Sequence, residues 1–306
     1  MIYDSIVIGA GPAGMSACLY LLRGGKSVCL LEKEGIGGQI ALSPRLENYP
    51  SISSIAGSEF ADNIFTKITE LGVNFEFGEA KKIVKNGEGD FTVTTDYDSF
   101  SSRSVIIASG CSHRCLNVPG EKELVGKGVS YCAVCDGAFY EGKEVALIGD
   151  ANTALQYSIT LSGICSKVHV ITLFDHFFAD DILQKRLLAL SNVEITHELN
   201  CLKMEKDGEK VIATFEDKKN GGERRISADG YFVAIGQVPH NEPFASLLDL
   251  EKGFIVTNEK METRTKGIYA CGDCRKKDVR QVVTATSDGA IAATMCQAYL
   301  QALPQS

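Results

Sequence analysis

The sequence lacks an uninterrupted apolar stretch of the roughly 18 residues that a membrane-spanning helix needs. Residues 1–4 carry no basic cluster and lead directly into a strand pattern, which argues against a secretory signal. Basic residues are in deficit, with 31 lysines and arginines against 39 aspartates and glutamates, a net charge of −8. Nucleic-acid-binding domains are normally basic. We therefore expect a cytoplasmic protein with neither a membrane nor a nucleic-acid partner.

The eleven cysteines do not fit a secreted disulfide scaffold, because their number is odd and the chain of 306 residues is long. A set of mostly reduced thiols with one redox-active pair fits these eleven cysteines better. With 44% hydrophobic and 23% charged residues, the chain has enough apolar material for ordinary folded cores. Its length corresponds to about two domains.

A glycine-rich turn lies near the start of the chain. Residues 3–8 are typical of a buried strand, and Gly9, Gly11 and Gly14 follow in a GxGxxG spacing before an apolar helical run. In a dinucleotide-binding unit the first glycine allows the turn, the second lets backbone approach a pyrophosphate, and the third lets helix pack on strand. Glu32, at the end of the next strand, lies where an acid binds the ribose. The pattern favours a dinucleotide site over a tight turn alone.

A second pattern of strand, turn and helix begins at residue 145. Its turn is Gly149-Asp150-Ala151-Asn152-Thr153-Ala154, and glycine- and proline-containing joints at 110–120 and 236–243 bracket the unit. The sequence therefore predicts an α/β fold of two Rossmann-like, three-layer dinucleotide-binding domains, the second inserted into the first. The predicted bounds are 1–113 and 245–306 for the discontinuous domain and 117–241 for the inserted domain.

The most specific chemical motif is Cys132-Ala133-Val134-Cys135-Asp136. Two cysteines three residues apart can close a small disulfide ring, and Asp136 can supply the proton that a leaving thiolate needs. A zinc site shared with Cys271 and Cys274 is one alternative, although the two pairs are much farther apart than in a compact zinc ribbon. A pair of buried structural thiols is the other. We expect a redox pair and no metal.

In this order, the GxGxxG turn, the Cys-x-x-Cys-Asp motif and the turn Gly272-Asp273 make the chain resemble the low-molecular-weight thioredoxin reductases over nearly its whole length. The resemblance implies a homodimer that binds FAD in its discontinuous domain and reduces thioredoxin. It also implies that Cys135 meets the flavin, that Cys132 attacks the thioredoxin disulfide, and that Asp136 is the general acid. The FAD contacts that it implies are Gly9, Gly11, Pro12, Ala13, Gly14, Glu32, Lys33, Gly38, Gln39, Asn48, Ala80, Ser109, Gly110, Asp273, Arg280, Gln281 and Val282.

The inserted domain departs from this family. The family usually has Gly-x-Gly-x-x-Ala in its turn, whereas here Ala151 adds a methyl group and Asp150 a carboxylate close to where the phosphates of NADPH would lie. The family's three arginine positions after the next strand hold Leu173, Phe174 and Phe178. Each lost charged hydrogen bond removes about 1.5–3 kcal/mol of binding. We therefore expect that NADPH does not bind.

The chain instead resembles the ferredoxin-dependent flavin thioredoxin reductases, which keep FAD and the cysteine pair but lack the nicotinamide motifs. This implies reduced ferredoxin, or flavodoxin in its place, as the electron donor. Ferredoxins are acidic, so docking needs a local basic patch, for which the candidates are Arg275, Lys276, Lys277 and Arg280. A solvated loop is the alternative there. Two other functions stay open: an NAD(P)H-dependent thioredoxin reductase with an atypical nucleotide site, and a non-catalytic redox-sensing flavoprotein.

Overall fold

The computed structural model describes residues 1–43, 45–87 and 89–303. The helices are α1 (Pro12–Arg23), α2 (Gly57–Glu70), α3 (Glu121–Leu124), α4 (Ala133–Asp136), α5 (Asn152–Ser162), α6 (Asp181–Leu188) and α7 (Val282–Ala302). Short 3-10 turns lie at Gly38–Leu42, Gly137–Tyr140, Glu242–Leu247 and Gly272–Cys274. No helix of the described ranges has both the length and the hydropathy needed to span a bilayer.

The strands are β1 (Ile2–Tyr3), β2 (Ser5–Ile8), β3 (Val28–Glu32), β4 (Asn74–Phe77), β5 (Lys82–Asn86), β6 (Asp90–Thr94), β7 (Ser99–Ser102), β8 (Val105–Ile107), β9 (Cys111–His113), β10 (Val129–Ser130), β11 (Glu144–Ile148), β12 (Lys167–Ile171), β13 (Val193–Thr196), β14 (Leu199–Asp207), β15 (Lys210–Asp217), β16 (Glu223–Ala228), β17 (Gly230–Val233), β18 (Gln237–Pro239), β19 (Leu250–Glu251), β20 (Phe254–Ile255) and β21 (Ile268–Ala270).

The chain divides into two compact units. One consists of Met1–Ser112 and the residues from Val238 onward, and the other of His113–Gln237. Residues 238–241, which the sequence assigns to the inserted domain, cluster with the first unit. The physical reason is the amide of Asn241, which donates hydrogen bonds to the backbone oxygens of Gly253 and Cys274, both 2.9 Å away.

The first unit is built around a parallel sheet in the order β21-β8-β2-β3-β4. Strands β21, β8, β2 and β3 are buried along their whole length, as their nearly continuous apolar sequences require, whereas the edge strand β4 is only partly buried. Val7 and Ile106 face a core shared with α1, α2 and α7. Ile6 and Ile107 face the opposite core, shared with the second sheet, in the order β1-β7-β6-β5. The result is three layers.

The inserted unit repeats this arrangement. Its parallel sheet has the order β10-β17-β11-β12-β13 and carries the antiparallel sheet β14-β15-β16 against one face. Leu147 and Phe232 pack with the core of α5, while Ala146 and Tyr231 face the antiparallel sheet. The predicted α/β fold with two dinucleotide-binding units is confirmed.

In the first unit the sheet order reverses at β2, where β8 and β3 flank it on opposite sides. Ligands of such sheets bind beyond the carboxyl ends of the strands at this switch point. The Gly9 turn, Ser109, Glu32 and Asp273 all come at or just after the carboxyl ends of neighbouring parallel strands. The fold therefore gathers segments that are far apart in sequence at one edge.

Candidate active site

The two cysteines of the Cys-x-x-Cys motif form a disulfide, with their Cα atoms 5.3 Å apart. The single turn of α4 begins directly after Cys132, whose sulfur accepts a hydrogen bond from the backbone N–H of Cys135 at 3.2 Å. Strand β10 ends two residues earlier and pairs in parallel with β17, which holds the motif at the carboxyl end of the inserted sheet. Both cysteines are half-buried.

Asp136, at the end of α4, is bonded to the strand that precedes the disulfide. The hydroxyl of Ser130 donates to Oδ2 of Asp136 at 2.6 Å, and the same hydroxyl oxygen accepts from the N–H of Cys132 at 3.1 Å. Burial raises the pKa of the Asp136 carboxyl, and the hydrogen bond from Ser130 opposes that rise. A raised pKa favours the protonated form of the carboxyl, which is the form that a general acid needs.

Sequence reasoning missed a second polar cluster beside the redox motif. Glu121 is fully buried and accepts hydrogen bonds from the N–H groups of Leu116 and Asn117, at 2.8 and 2.7 Å. The hydroxyl of Tyr131 donates to the same carboxylate at 2.9 Å. Because Tyr131 directly precedes Cys132, this cluster fixes the backbone that enters the redox motif.

The two cysteine pairs do not form the alternative four-cysteine zinc site. Cys271 and Cys274 are fully buried in the first unit, and the Cys274 thiol donates to the backbone oxygen of Cys271 at 3.2 Å. Cys132 and Cys135 are consumed by their disulfide. Within the described residues, no group of three or more His, Cys, Asp or Glu side chains is arranged to hold a metal ion.

The three glycines of the first turn have different surroundings. A Cβ atom on Gly9 would lie 2.4 Å from the backbone oxygen of Ala108, and one on Gly14 would lie 1.9 Å from that of Gly9. A Cβ on Gly11 would meet no atom of the described chain within 4 Å. Packing therefore requires the outer glycines, whereas the middle one borders open space that a ligand can fill.

Two carboxylates at this edge fit the hydroxyl groups of FAD. Oδ1 of Asp273 is buried without a hydrogen-bond partner in the described part of the chain, and burial raises the pKa of this carboxyl. Glu32 accepts from the N–H groups of Ala10 at 2.7 Å and Glu34 at 2.8 Å, and its oxygens keep further lone pairs. Buried polar atoms are normally hydrogen-bonded. Ribose and ribityl hydroxyls can supply the donor that Asp273 lacks, so the residues present fit FAD.

The structure brings several of the other expected FAD residues together. The amide of Asn48 donates to the Gln281 side chain at 3.0 Å, and Gln281 caps α7 just before Val282. The Gln39 amide donates to the backbone oxygen of Cys111, next to Gly110. Gln39, Asn48, Gly110, Gln281 and Val282 all belong to the first unit.

The remaining residues expected to contact FAD also make contacts within the chain. The guanidinium of Arg280 lies 4.3 Å from the ring centre of Phe254 and donates to the backbone oxygen of Asp273 at 3.4 Å. Lys33 is exposed and pairs with Glu34 at 3.4 Å. Pro12 is the first residue of α1, Ala13 and Ala80 are buried, and a Cβ on Gly38 would lie 3.6 Å from the Cα of Gly11.

Asn241 is a buried polar residue that sequence reasoning did not assign to the site. The hydroxyl of Ser109 donates to its side-chain oxygen at 2.9 Å. With the bonds from its amide to Gly253 and Cys274, Asn241 ties the turn after β8 to the turn that carries Asp273. Its position two residues after Pro239, in a joint between units, was the available clue.

The proposed basic docking patch was wrong in its main members. Arg275 and Lys277 are about nine-tenths buried, and their charged groups lie 3.1 and 2.9 Å from the carboxylate of Asp288. Lys276 is exposed but pairs with Glu251 at 2.6 Å. Arg275 and Lys277 stabilise the Gly-Asp turn from inside, so they do not form a free surface for an acidic protein.

The glycine-rich turn of the inserted unit is hydrogen-bonded to a later segment of the chain, although Ala151 and Thr153 in the turn are exposed. The N–H of Phe178 donates to the backbone oxygen of Asp150 at 2.7 Å, and Ala151 forms an isolated parallel bridge with Phe178. Asn152 and Asp180 exchange two hydrogen bonds, of 3.0 and 2.8 Å, at the start of α5. Segment 172–180 therefore lies against the turn.

The three positions where the family carries arginines form an exposed apolar surface. Leu173, Phe174 and Phe178 are 39%, 46% and 55% exposed, and the two phenylalanine rings meet edge to face at 5.1 Å. None of these side chains can donate a hydrogen bond to a phosphate. Burial raises the pKa of the carboxyl of Asp150, which is itself part of the glycine-rich turn.

A family model, a sequence relative and a solved structure all indicate the same family for this chain. The family model for pyridine nucleotide-disulphide oxidoreductases matches residues 3–289. A thioredoxin reductase of Bacillus subtilis is 39% identical over all of this chain and 97% of its own length. The crystal structure of thioredoxin reductase from Streptococcus pyogenes superposes with a TM-score of 0.94 at 35% identity, covering 99% of each chain.

A ferredoxin-flavin thioredoxin reductase from Clostridium acetobutylicum is a more distant structural neighbour. It matches with a TM-score of 0.54 and 29% identity over 98% of this chain and 99% of its own. Matched by the family model over most of its length and similar to thioredoxin reductases from end to end, the chain belongs to the pyridine nucleotide-disulphide oxidoreductases and, among them, to the thioredoxin reductases.

Proposed function

We propose that this chain reduces the disulfide of thioredoxin, using FAD, the Cys132–Cys135 disulfide and electrons from reduced ferredoxin. The observation that carries the disulfide chemistry is the half-buried Cys132–Cys135 bond with the Asp136 carboxyl beside it. FAD, when bound, supplies the two electrons that open the disulfide. Gly11, Glu32 and Asp273 of the first unit are the residues proposed to hold it.

The chain's own residues then carry out thiol-disulfide exchange. The Cys132 thiolate attacks one sulfur of the thioredoxin disulfide, and the other thioredoxin sulfur leaves as a thiolate that takes a proton. The Cys135 thiolate attacks Cys132, which restores the enzyme disulfide and releases thioredoxin as a dithiol. Asp136 supplies a proton to a leaving sulfur and recovers it from water.

The turn of the inserted unit supports a donor other than NADPH. Segment 172–180 bonds to the turn at Asp150, and the positions of the family's arginines are apolar. A dinucleotide bound there would find no cationic fork at Leu173, Phe174 or Phe178 to hold its 2′-phosphate. Because Arg275 and Lys277 are internal, the proposal of ferredoxin does not rest on a basic patch there.

A second candidate is an NAD(P)H-dependent thioredoxin reductase with an atypical nucleotide site. It is favoured by the family description, which names pyridine nucleotides, and by the close fold match to the Streptococcus pyogenes enzyme. The two candidates share FAD, the cysteine pair and thioredoxin. They differ in the molecule that reduces the flavin.

Anaerobic stopped-flow absorbance separates these donors. We expect reduced ferredoxin to bleach the flavin in one-electron steps, and we expect micromolar NADPH and NADH not to do so. Rapid bleaching by NADPH, coupled to thioredoxin reduction, would establish the second candidate. Bleaching without any thioredoxin reduction would favour a redox-sensing flavoprotein.

Two further measurements test the cysteine pair and the assembly. Cys132→Ser and Cys135→Ser should each abolish thioredoxin reduction, whereas Cys201→Ser, a buried thiol of the same unit outside the disulfide, serves as the matched control. Full activity in either variant of the pair would refute the assignment. The resemblance also implies a homodimer, which light scattering of the purified protein tests directly.

A further inference from the structure

Ser130 links the proposed acid to the redox motif through a single hydroxyl group. Its oxygen lies 2.6 Å from Oδ2 of Asp136 and 3.1 Å from the backbone nitrogen of Cys132. The side chain is buried, with 5% of its surface exposed, at the carboxyl end of β10. Water is therefore not a ready substitute for this contact.

The chemistry of the partners determines the direction of these hydrogen bonds. A backbone N–H can only donate, so the hydroxyl oxygen accepts from Cys132. The hydroxyl proton then goes to the Asp136 carboxylate, which can only accept while it is ionised. The backbone oxygen of Cys132, 3.4 Å away, is the alternative acceptor when Asp136 carries its own proton. The hydroxyl can thus serve both protonation states of the acid.

We propose that Ser130 is a positioning residue that holds the Asp136 carboxyl against the redox motif and controls how readily it releases its proton. The proposal rests on the role of Asp136 as proton donor in the proposed function. In the step concerned, opening of the Cys132–Cys135 bond by a two-electron reductant leaves two thiolates. One of them takes the proton of Asp136, and the carboxylate that forms is stabilised by Ser130 until water returns the proton.

The surroundings of Asp136 make Ser130 the main group that can stabilise its carboxylate. Tyr140, in the 3-10 turn that follows α4, faces Asp136 with a phenol whose pKa is raised first by burial and then by the Asp136 charge. Helix α5, which packs against α4, carries no charged side chain along Asn152–Ser162. Cys132 and Cys135 titrate only after their disulfide opens.

The test uses dithiothreitol to open the disulfide of the purified full chain, so that neither an electron donor nor thioredoxin is needed. The opening rate is measured over a pH series by acid quenching and thiol labelling. The ratio of the Ser130→Ala rate to the wild-type rate at each pH cancels the ionisation of the reagent. Loss of one hydrogen bond to a charged group should move the pH at which the acid loses its proton upward by about one unit.

We therefore expect the ratio of the Ser130→Ala rate to the wild-type rate to rise about tenfold across the pH range in which Asp136 loses its proton. The reason is that Asp136 keeps its proton to a higher pH in the variant than in the wild type. In an Asp136→Asn background the same Ser130→Ala change should give a ratio that is flat with pH. Ser130→Thr retains the hydroxyl and should also give a flat ratio.

A flat ratio for Ser130→Ala in the wild-type background would overturn the proposal. An equal rise in the Asp136→Asn background would overturn it as well, because the effect would then not act through Asp136. Failure of thioredoxin turnover with every donor, alongside the expected dithiothreitol profiles, would reject the proposed function and leave this inference standing.

Discussion

Nζ of Lys277 lies 2.9 Å from Oδ2 of Asp288, and both side chains are only 10% exposed. The same carboxylate pairs with Arg275 at 3.1 Å and accepts the N–H of Gly272 at 3.1 Å. Asp288 belongs to α7, whereas its partners lie in or just after the turn Gly272–Cys274, which carries Asp273. One buried carboxylate therefore fastens the proposed flavin-binding turn to the last helix.

Replacing this carboxylate should destabilise the protein. Asp288→Asn leaves two cations buried with no opposite charge, and breaking a buried ion pair in this way costs about 3 kcal/mol of unfolding free energy. Chemical denaturation measures it, and Glu251→Gln is the control, since its pair with Lys276 is half-exposed and contributes at most about 1 kcal/mol. Equal losses of unfolding free energy for the two substitutions would contradict the stabilising role of the buried Asp288 carboxylate.

Gly11→Ala should separate flavin binding from folding. The added methyl group meets no atom of the described chain within 4 Å, so the unfolding transition of the flavin-free protein should change little. The same methyl group fills the space proposed for the FAD pyrophosphate, so the flavin affinity should fall at least tenfold in a fluorescence titration. Gly89→Ala, in a hairpin turn, is the matched control with unchanged affinity expected. Normal FAD binding by Gly11→Ala would place the cofactor elsewhere.

Asn241→Ala should weaken the first unit. The substitution removes the partner of the Ser109 hydroxyl and the two donors to Gly253 and Cys274, in a position with no exposed surface. Leaving buried polar groups unsatisfied costs about 1–3 kcal/mol, which thermal or denaturant unfolding detects. Asn258→Ala, whose hydrogen bonds are exposed, should cost less. A neutral Asn241→Ala would show that these bonds are replaced by water.

Thiol labelling of the native, oxidised protein should be selective. Cys115 is half-exposed, whereas the other eight cysteines outside the disulfide are buried. Burial raises the pKa of Cys111 to about 12 and of Cys165 to about 11, so few thiolates form there at pH 8. We expect about one fast thiol per chain with a disulfide-exchange reagent, and none in Cys115→Ser. Several fast thiols would mean that the buried set opens readily.

Local patterns in the sequence were sufficient for the two strand-turn-helix units and the redox pair. The helix predicted after Gly14 corresponds to α1, which begins two residues earlier, at Pro12, and the one expected after the turn at Gly149 is α5. Such elements depend on periodicity and on glycine positions within about 20 residues, which a sequence displays directly. The cysteine pair is equally local, because α4 brings Cys132 and Cys135 together in one turn.

By contrast, whether each polar group is buried and which partner it has were decided by segments that lie far away in the chain. Arg275 and Lys277 suggested a basic surface, but α7 supplies Asp288 and buries them. Asn241 meets Ser109 across 132 positions, and segment 172–180 folds back on the turn at Asp150. The sequence by itself determined which residue types are available and where the glycine turns and cysteines lie. Only the tertiary structure decided which charges are exposed and which groups are paired, because burial and partnership are set by packing between elements that no local pattern records.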